Sequence, residues 1–261
     1  MTRTLAAVQD ADVVPRLLAA PAELLLDALP PLQPQMRFLE VGARGGLVAR
    51  PLIERVAGLG RVVSIDVDSD AVQALPAAPR RAARAVAGLP LPFVDGGFDV
   101  VIANLLLGGP GDDVVFSELR RVLKADGWLL GTALVRGSWD ALFDLIGEAC
   151  DASGRSGVAD RVQAIRDTLP GEARLVSTAG ARRLVPAHAT GMQERLVGFA
   201  ADGPALRADP LVRNLLLPAW CGEEVHADID FATALDDAVR AYFPAGVPLV
   251  VRTALLVLRA G

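Results

Sequence analysis

The sequence predicts an α/β protein built on a doubly wound, mostly parallel sheet with helices on both faces. Three observations carry this. Short apolar runs without polar alternation recur between helical patterns, as expected of strands buried on both faces. The first run, Phe38-Leu39-Glu40-Val41, ends in a glycine-rich turn, Gly42-Ala43-Arg44-Gly45-Gly46, that opens onto a helical pattern. The second ends in Asp66, 20 residues after Gly46. In such sheets ligands sit beyond the carboxyl ends of the strands. Gly42 to Gly46, Asp66, the 87–89 segment and Asn104 are therefore expected along one edge.

The elements follow in order. Val13, Leu17, Leu18, Leu24, Leu25 and Ala28 recur at helical spacing over 11–29, where Pro15 and Pro21 are placed to divide the helix. Pro30, Pro31 and Pro34 form a stiff linker. Strands are expected at 36–41, 61–66, 80–86, 98–104 and 128–135. Helices are expected at 47–57, 69–75 and 112–124, the last with Val115, Leu119, Val122 and Leu123 as its core face. The turn Asp126-Gly127 precedes the fifth strand. Beyond it, 139–150 and 159–169 read as helices, 173–178 as a strand, 190–243 as mostly helical and 247–259 as a long β-branched strand. The expected organisation is an N-terminal helical segment, 1–35, and one domain, 36–261, with a helical substrate-covering insertion at about 180–245.

Composition bounds the function. The 261 residues are 52% hydrophobic, enough for a sizeable core, yet no apolar run reaches the roughly 18 residues of a membrane helix. Asp10, Asp12 and Arg16 stand where a signal peptide would be apolar, so a cytoplasmic protein without a membrane partner is expected. Cys150 and Cys221 suit buried packing better than a disulfide framework or metal site. Net charge is −5, and residues 191–245 hold nine Asp and Glu against four Arg. That balance argues against a phosphate-tracking surface and a nucleic-acid partner.

The turn Gly42 to Gly46 is not a dinucleotide fingerprint, because Arg44 and Leu47 stand where glycines are needed. It is not a P-loop either, since no Gly-Lys-Ser/Thr follows. It resembles the first motif of the class I S-adenosylmethionine-dependent methyltransferases, acid-x-Gly-x-Gly-x-Gly, with Glu40, Gly42 and Gly46 matching and Arg44 replacing the middle glycine. The resemblance continues through Val62-Val63-Ser64-Ile65-Asp66-Val67-Asp68, like the family's second strand. Leu91-Pro92-Phe93-Val94-Asp95-Gly96-Gly97-Phe98-Asp99-Val100-Val101 resembles the segment before its fourth strand. Glu118 to Leu129 resembles its fifth helix–turn–strand unit, and the matches keep their order over about residues 36–135.

That resemblance implies a Rossmann-like methyltransferase fold with a seven-stranded sheet, an antiparallel last strand and a helical insertion before it. It also implies a cofactor, S-adenosylmethionine. Glu40, Gly42, Ala43, Arg44, Gly45 and Gly46 would shape the loop at its methionine end. Asp66 would bind the ribose, as a carboxylate accepts both hydroxyls of a vicinal diol, with Val67 beside it. Gly88 and Leu89 would flank the adenine, with Ala87 where the family often has Asp, and Asn104 would lie in the loop after the fourth strand.

Arg44 is open to three placements: outwards, inwards onto the methionine carboxylate, or filling the pocket. His188 is the weak candidate for a general base, although methyl transfer from a sulfonium can run on positioning alone. The function expected is methyl transfer to a small-molecule acceptor, with a homodimer compatible. The alternative is a catalytically degenerate relative serving as a binding, regulatory or scaffold subunit. A nicotinamide-dependent oxidoreductase is disfavoured by the glycine spacing.

Overall fold

A computed structural model describes residues 9–44, 46–56, 60–75, 82–86, 88–222, 225 and 228–261. The chain divides into two compact units. One comprises Leu18–Leu134, Pro170–Gln193 and Thr253–Gly261, and the other Met1–Leu17, Val135–Leu169 and Glu194–Arg252.

The first of these units carries most of the sheet. After helix α1 (Ala19–Asp27) come β1 (Met36–Val41), α2 (Ala49–Arg55), β2 (Gly60–Asp66), α3 (Ser69–Gln73) and β3 (Ala82–Val86). Then follow β4 (Phe98–Leu107), α4 (Asp112–Val122) and β5 (Leu123–Leu134). Strands β1 to β5 pair in parallel in the spatial order β3-β2-β1-β4-β5. The last four residues of β1 are all buried, which is why its sequence shows an unbroken run rather than alternation. Leu25, Phe38, Leu52, Val62 and Val100 form the centre of a core closed by α1 and α2. Full burial of side chains of this size contributes about 1.5–3 kcal/mol each.

The remaining elements are α5 (Asp140–Ala152), α6 (Ser156–Thr168), α7 (Glu172–Gly180), β6 (Leu184–Pro186), β7 (Gly191–Ala200), α8 (Gly203–Ala208), α9 (Leu217–Cys221), α10 (Ile229–Tyr242) and β8 (Val247–Ala260). As expected, β8 is antiparallel, against both β5 and β6. Seven strands run along one path, β3-β2-β1-β4-β5-β8-β6, and β7 pairs with β8 off it. The fold class expected from the sequence is therefore present, with an eighth strand added. Among the described residues, no helix is long and apolar enough to cross a membrane.

Three local expectations are corrected. Residues 173–178 are not a strand but lie in α7, where Leu175 and Ala179 are buried four residues apart on one helical face. Residues 191–200 are not helical but form β7, paired to the long β8. The 11–29 helix is a π-helical segment, Gln9–Leu18, followed by α1. Pro21 falls in the first turn of α1, where a missing N–H breaks no helical bond.

In the other unit, α5 and α10 bury Leu142, Ile146, Phe231 and Leu235. The Phe143 and Trp220 rings stack at 4.1 Å, and Arg207 pairs with Asp236 at 2.7 Å. Trp220 is thus a packing residue rather than a free aromatic wall.

Candidate cofactor site at the carboxyl edge

The end of β1 and the end of β2 lie side by side, Val41 level with Ile65. The turn after β1 is tied to β2 by its own backbone. Gly42 and Ala43 donate their N–H groups to the Ile65 carbonyl at 2.9 and 3.1 Å. Arg44 N–H donates to Asp66 Oδ2 at 3.0 Å, and Asp68 N–H donates to Oδ1 of the same carboxylate at 3.0 Å. Each Asp66 oxygen thus holds one backbone donor and keeps acceptor capacity for another. The carboxylate is buried to 8% exposure at the mouth of the turn.

Gly42 and Gly46 have φ of +76° and +91°, left-handed values that suit glycine. A Cβ on Gly42 would meet nothing nearer than Leu106 Cδ1 at 4.0 Å, so space lies open beside it. Arg44 also has positive φ, +38°: it keeps the conformation of the glycine it replaces, and its side chain is exposed. We expect Arg44→Gly to relieve about 1–2 kcal/mol of left-handed strain while losing about 0.5–1 kcal/mol to chain entropy. The net change in urea denaturation should be a gain of up to about 1 kcal/mol. A variant less stable than wild type would show that the side chain makes a contact the structure lacks.

Glu40 sits below the turn at 2% exposure. It is level with Ser64 of β2, and both Glu40 Oε2 and Ser64 Oγ are buried without a hydrogen-bond partner of standard geometry. Burial pushes the Glu40 carboxyl up from 4.5 to about 7. The nearby Ser64 hydroxyl and the N–H groups of Val48 and Ala49 oppose that shift without cancelling it.

Two exposed apolar side chains flank the edge: Val67, 75% exposed, and Leu89, 44% exposed. A Cβ on Gly88 would come within 3.2 Å of Val67 Cγ1, so the 88–89 backbone runs directly against Val67. Gly45 and Ala87 lie outside the described residues.

Asn104 is placed differently from a loop residue facing a ligand. It is a buried residue within β4. Its Nδ2 donates to the Leu18 carbonyl at 3.2 Å, and its Oδ1 accepts from Thr132 Oγ1 at 2.9 Å. Thr132 in turn accepts the Leu105 N–H at 2.8 Å. The network ties α1 to β4 and β5. Thr132→Val should strand two buried polar groups and lower the unfolding free energy by about 2–4 kcal/mol, read from urea curves. A change under about 0.5 kcal/mol would contradict this arrangement. A lone threonine in an otherwise apolar strand was the signal for it in the sequence.

His188 is not brought to this edge. Its ring stacks on Trp128 at 6.4 Å. Trp128 is level with Val100, whereas Gly131 is level with Ala103 at the carboxyl end. At the rise of a strand, His188 is held about 10 Å short of the edge. His226 lies outside the described residues.

Residues 39–131 match the family described as "Methyltransferase domain". The matched stretch resembles a methyltransferase domain and carries the glycine-rich turn, Asp66 and Asn104. The chain is 38% identical over 76 residues to the ribosomal protein L11 methyltransferase of Burkholderia mallei, a stretch covering 29% of this chain and 25% of that protein. The chain thus spans about a quarter of the length of the curated relatives it matches. In structure it resembles the mycolic acid cyclopropane synthase CmaA1 complexed with SAH. The TM-score is 0.52 at 20% identity, over 92% of this chain and 83% of that one. It also resembles the [4+2]-cyclase SpnF, with a TM-score of 0.53 at 17% identity over 92% and 80%. These likenesses are of fold alone; every residue of the edge described above falls within one compact unit of the chain.

Proposed function

We propose that this edge binds S-adenosylmethionine and that the protein transfers its methyl group to a small-molecule acceptor. The observation that carries the reading is Asp66: a carboxylate fixed by two backbone N–H groups, one from the glycine-rich turn, with acceptor capacity left on both oxygens. The residues present fit the cofactor. Asp66 offers a diol acceptor, and Val67 and Leu89 offer apolar surface to a base. Gly42 leaves the backbone open to close approach.

When bound, S-adenosylmethionine supplies a methyl group activated by its sulfonium. The protein's part is to bind and orient. The turn and Asp66 hold a ligand against the strand ends, and in-line positioning of an acceptor can provide much of the rate without a general base. The acidic 191–245 segment supports a small neutral or cationic acceptor over a nucleic acid.

A second reading, a protein that binds the cofactor without methyl transfer, is favoured by one observation. His188, the weak candidate for a general base, is held against Trp128, and Asn104, expected in the cofactor loop, is held by Thr132. One experiment separates the readings: incubation with methyl-labelled S-adenosylmethionine and a cell extract fractionated by size. Label in products below about 1 kDa is expected from the small-molecule reading. Label in protein or nucleic acid would contradict it, and tight binding without any product would favour the second.

A further inference from the structure

The loop that follows Gly88 and Leu89 has its polar groups gathered onto one turn of α4. Arg121 Nη2 donates to the Leu91 carbonyl at 2.9 Å. Its Nη1 donates to the Phe93 carbonyl at 2.7 Å and to Asp95 Oδ1 at 2.8 Å. The same guanidinium forks onto Glu118, Nε to Oε1 and Nη2 to Oε2, both at 2.8 Å. Glu118 Oε2 also accepts the Leu91 N–H at 2.7 Å, and the Arg121 carbonyl accepts the Gly96 N–H at 2.9 Å. Arg121 and Glu118 are about 70% and 84% buried at the side chain, so water competes poorly for these bonds.

We propose that Arg121, braced by Glu118, is a positioning residue for the cofactor: it sets the register of residues 88–95 and so fixes the Gly88–Leu89 wall against Val67. The inference rests on the reading that this edge binds S-adenosylmethionine. The geometry argues for Arg over any other residue. Five donors in a rigid fork meet five acceptors on two chain segments, the 91–95 loop and α4, and a lysine, with a point charge, cannot match them. The Arg121 hydrogen bond also holds the Glu118 carboxyl below its ordinary range, so the brace stays ionised at neutral pH. Only Pro90 separates Leu91 from the wall at Leu89, a short lever along which a displacement of the loop is passed on.

The test uses the full chain and four variants: Arg121→Met, Arg121→Lys, Glu118→Gln and, as a control, Arg166→Met. Arg166 bridges Asp140 and Asp144 in the other unit and makes no hydrogen bond to residues 88–97. Calorimetry reads S-adenosylhomocysteine and adenosine binding, thermal unfolding reads the folded fraction, and hydrogen exchange by mass spectrometry reads residues 88–97. Arg121→Met should raise both dissociation constants by about tenfold or more in a folded protein. Exchange should rise at 88–97 and not elsewhere. Arg121→Lys and Glu118→Gln should fall between, and Arg166→Met should match wild type. The two ligands should lose affinity by the same factor, because the wall touches the base they share; a purely structural role would raise exchange throughout the chain rather than confine it to 88–97.

Unchanged affinity in folded Arg121 variants, with wild type binding, would overturn the positioning role while leaving the cofactor site intact. Absence of binding by wild type would overturn the cofactor reading and the positioning role with it. If Arg121→Met does not fold, the Lys and Gln variants decide the same question.

Discussion

Asp66→Asn is expected to weaken S-adenosylhomocysteine binding by about 100-fold or more, since hydrogen bonds to a charged group contribute about 1.5–3 kcal/mol each and a diol makes two. The carboxylate accepts the Arg44 and Asp68 N–H groups, one on each oxygen. An amide has acceptors on one side only, so its NH2 must face either a backbone donor or a ligand hydroxyl. The substitution therefore loosens the turn and removes an acceptor at once. Asp68→Ala separates the two effects. Asp68 caps α3 by accepting the Asp70 N–H at 2.8 Å, so its loss should cost about 1 kcal/mol of stability and leave affinity within about threefold of wild type. Calorimetric titration of both variants, with urea curves, checks this. Equal affinity losses in the two variants would show that Asp66 acts only through the turn.

Glu40 should impose a pH dependence of the opposite sign to that of an ordinary carboxylate. The unfolded chain loses this proton near 4.5, while burial lets the folded chain keep it until about 7. Between these values the folded state binds more protons, so stability falls as pH rises and levels off above the upper value. The slope is about 1.4 kcal/mol per pH unit, or roughly 3 kcal/mol across the window. Glu40→Gln removes this term alone. The stability difference between variant and wild type should therefore move in the variant's favour by about 3 kcal/mol from pH 5 to pH 8, whatever its value at either end. Urea denaturation at the two pH values measures it. A difference that does not change with pH would mean that Glu40 titrates normally and that its unpartnered oxygen is hydrated.

The parts of the fold that were legible in the sequence are those with local causes. An unbroken apolar run gave β1, and a glycine-rich turn with an acid at the next strand end gave the site edge, because strand burial and turn chemistry act within a few residues. Misread elements had patterns that two structures share. Met192, Leu196 and Phe199 are spaced like a helical face, yet all three are exposed on β7, while Val197 and Ala200 are buried. What decided the conformation was the long partner strand β8, distant in sequence. Val176 and Thr178 suggested a strand through β-branching, but burial of Leu175 and Ala179 selected a helix.

In the candidate site, Glu40, Gly42, Arg44, Gly46 and Asp66 were read from the motif, and they lie at the adjoining ends of β1 and β2. The positive φ of Arg44, +38°, is a backbone property that no spacing reveals. Asn104 and His188 were misplaced for one reason: each is held by a partner, Thr132 or Trp128, from another strand. The bracing role of Arg121 was not visible, since its loop acceptors lie 26 to 30 residues away and only Glu118 is near it in sequence.

Titration of wild-type protein with S-adenosylhomocysteine and with S-adenosylmethionine tests the cofactor site most directly. Saturable binding of both, near one ligand per chain and lost in Asp66→Asn, is the expected result. Absence of binding in folded wild-type protein, or binding that Asp66→Asn leaves untouched, would contradict it.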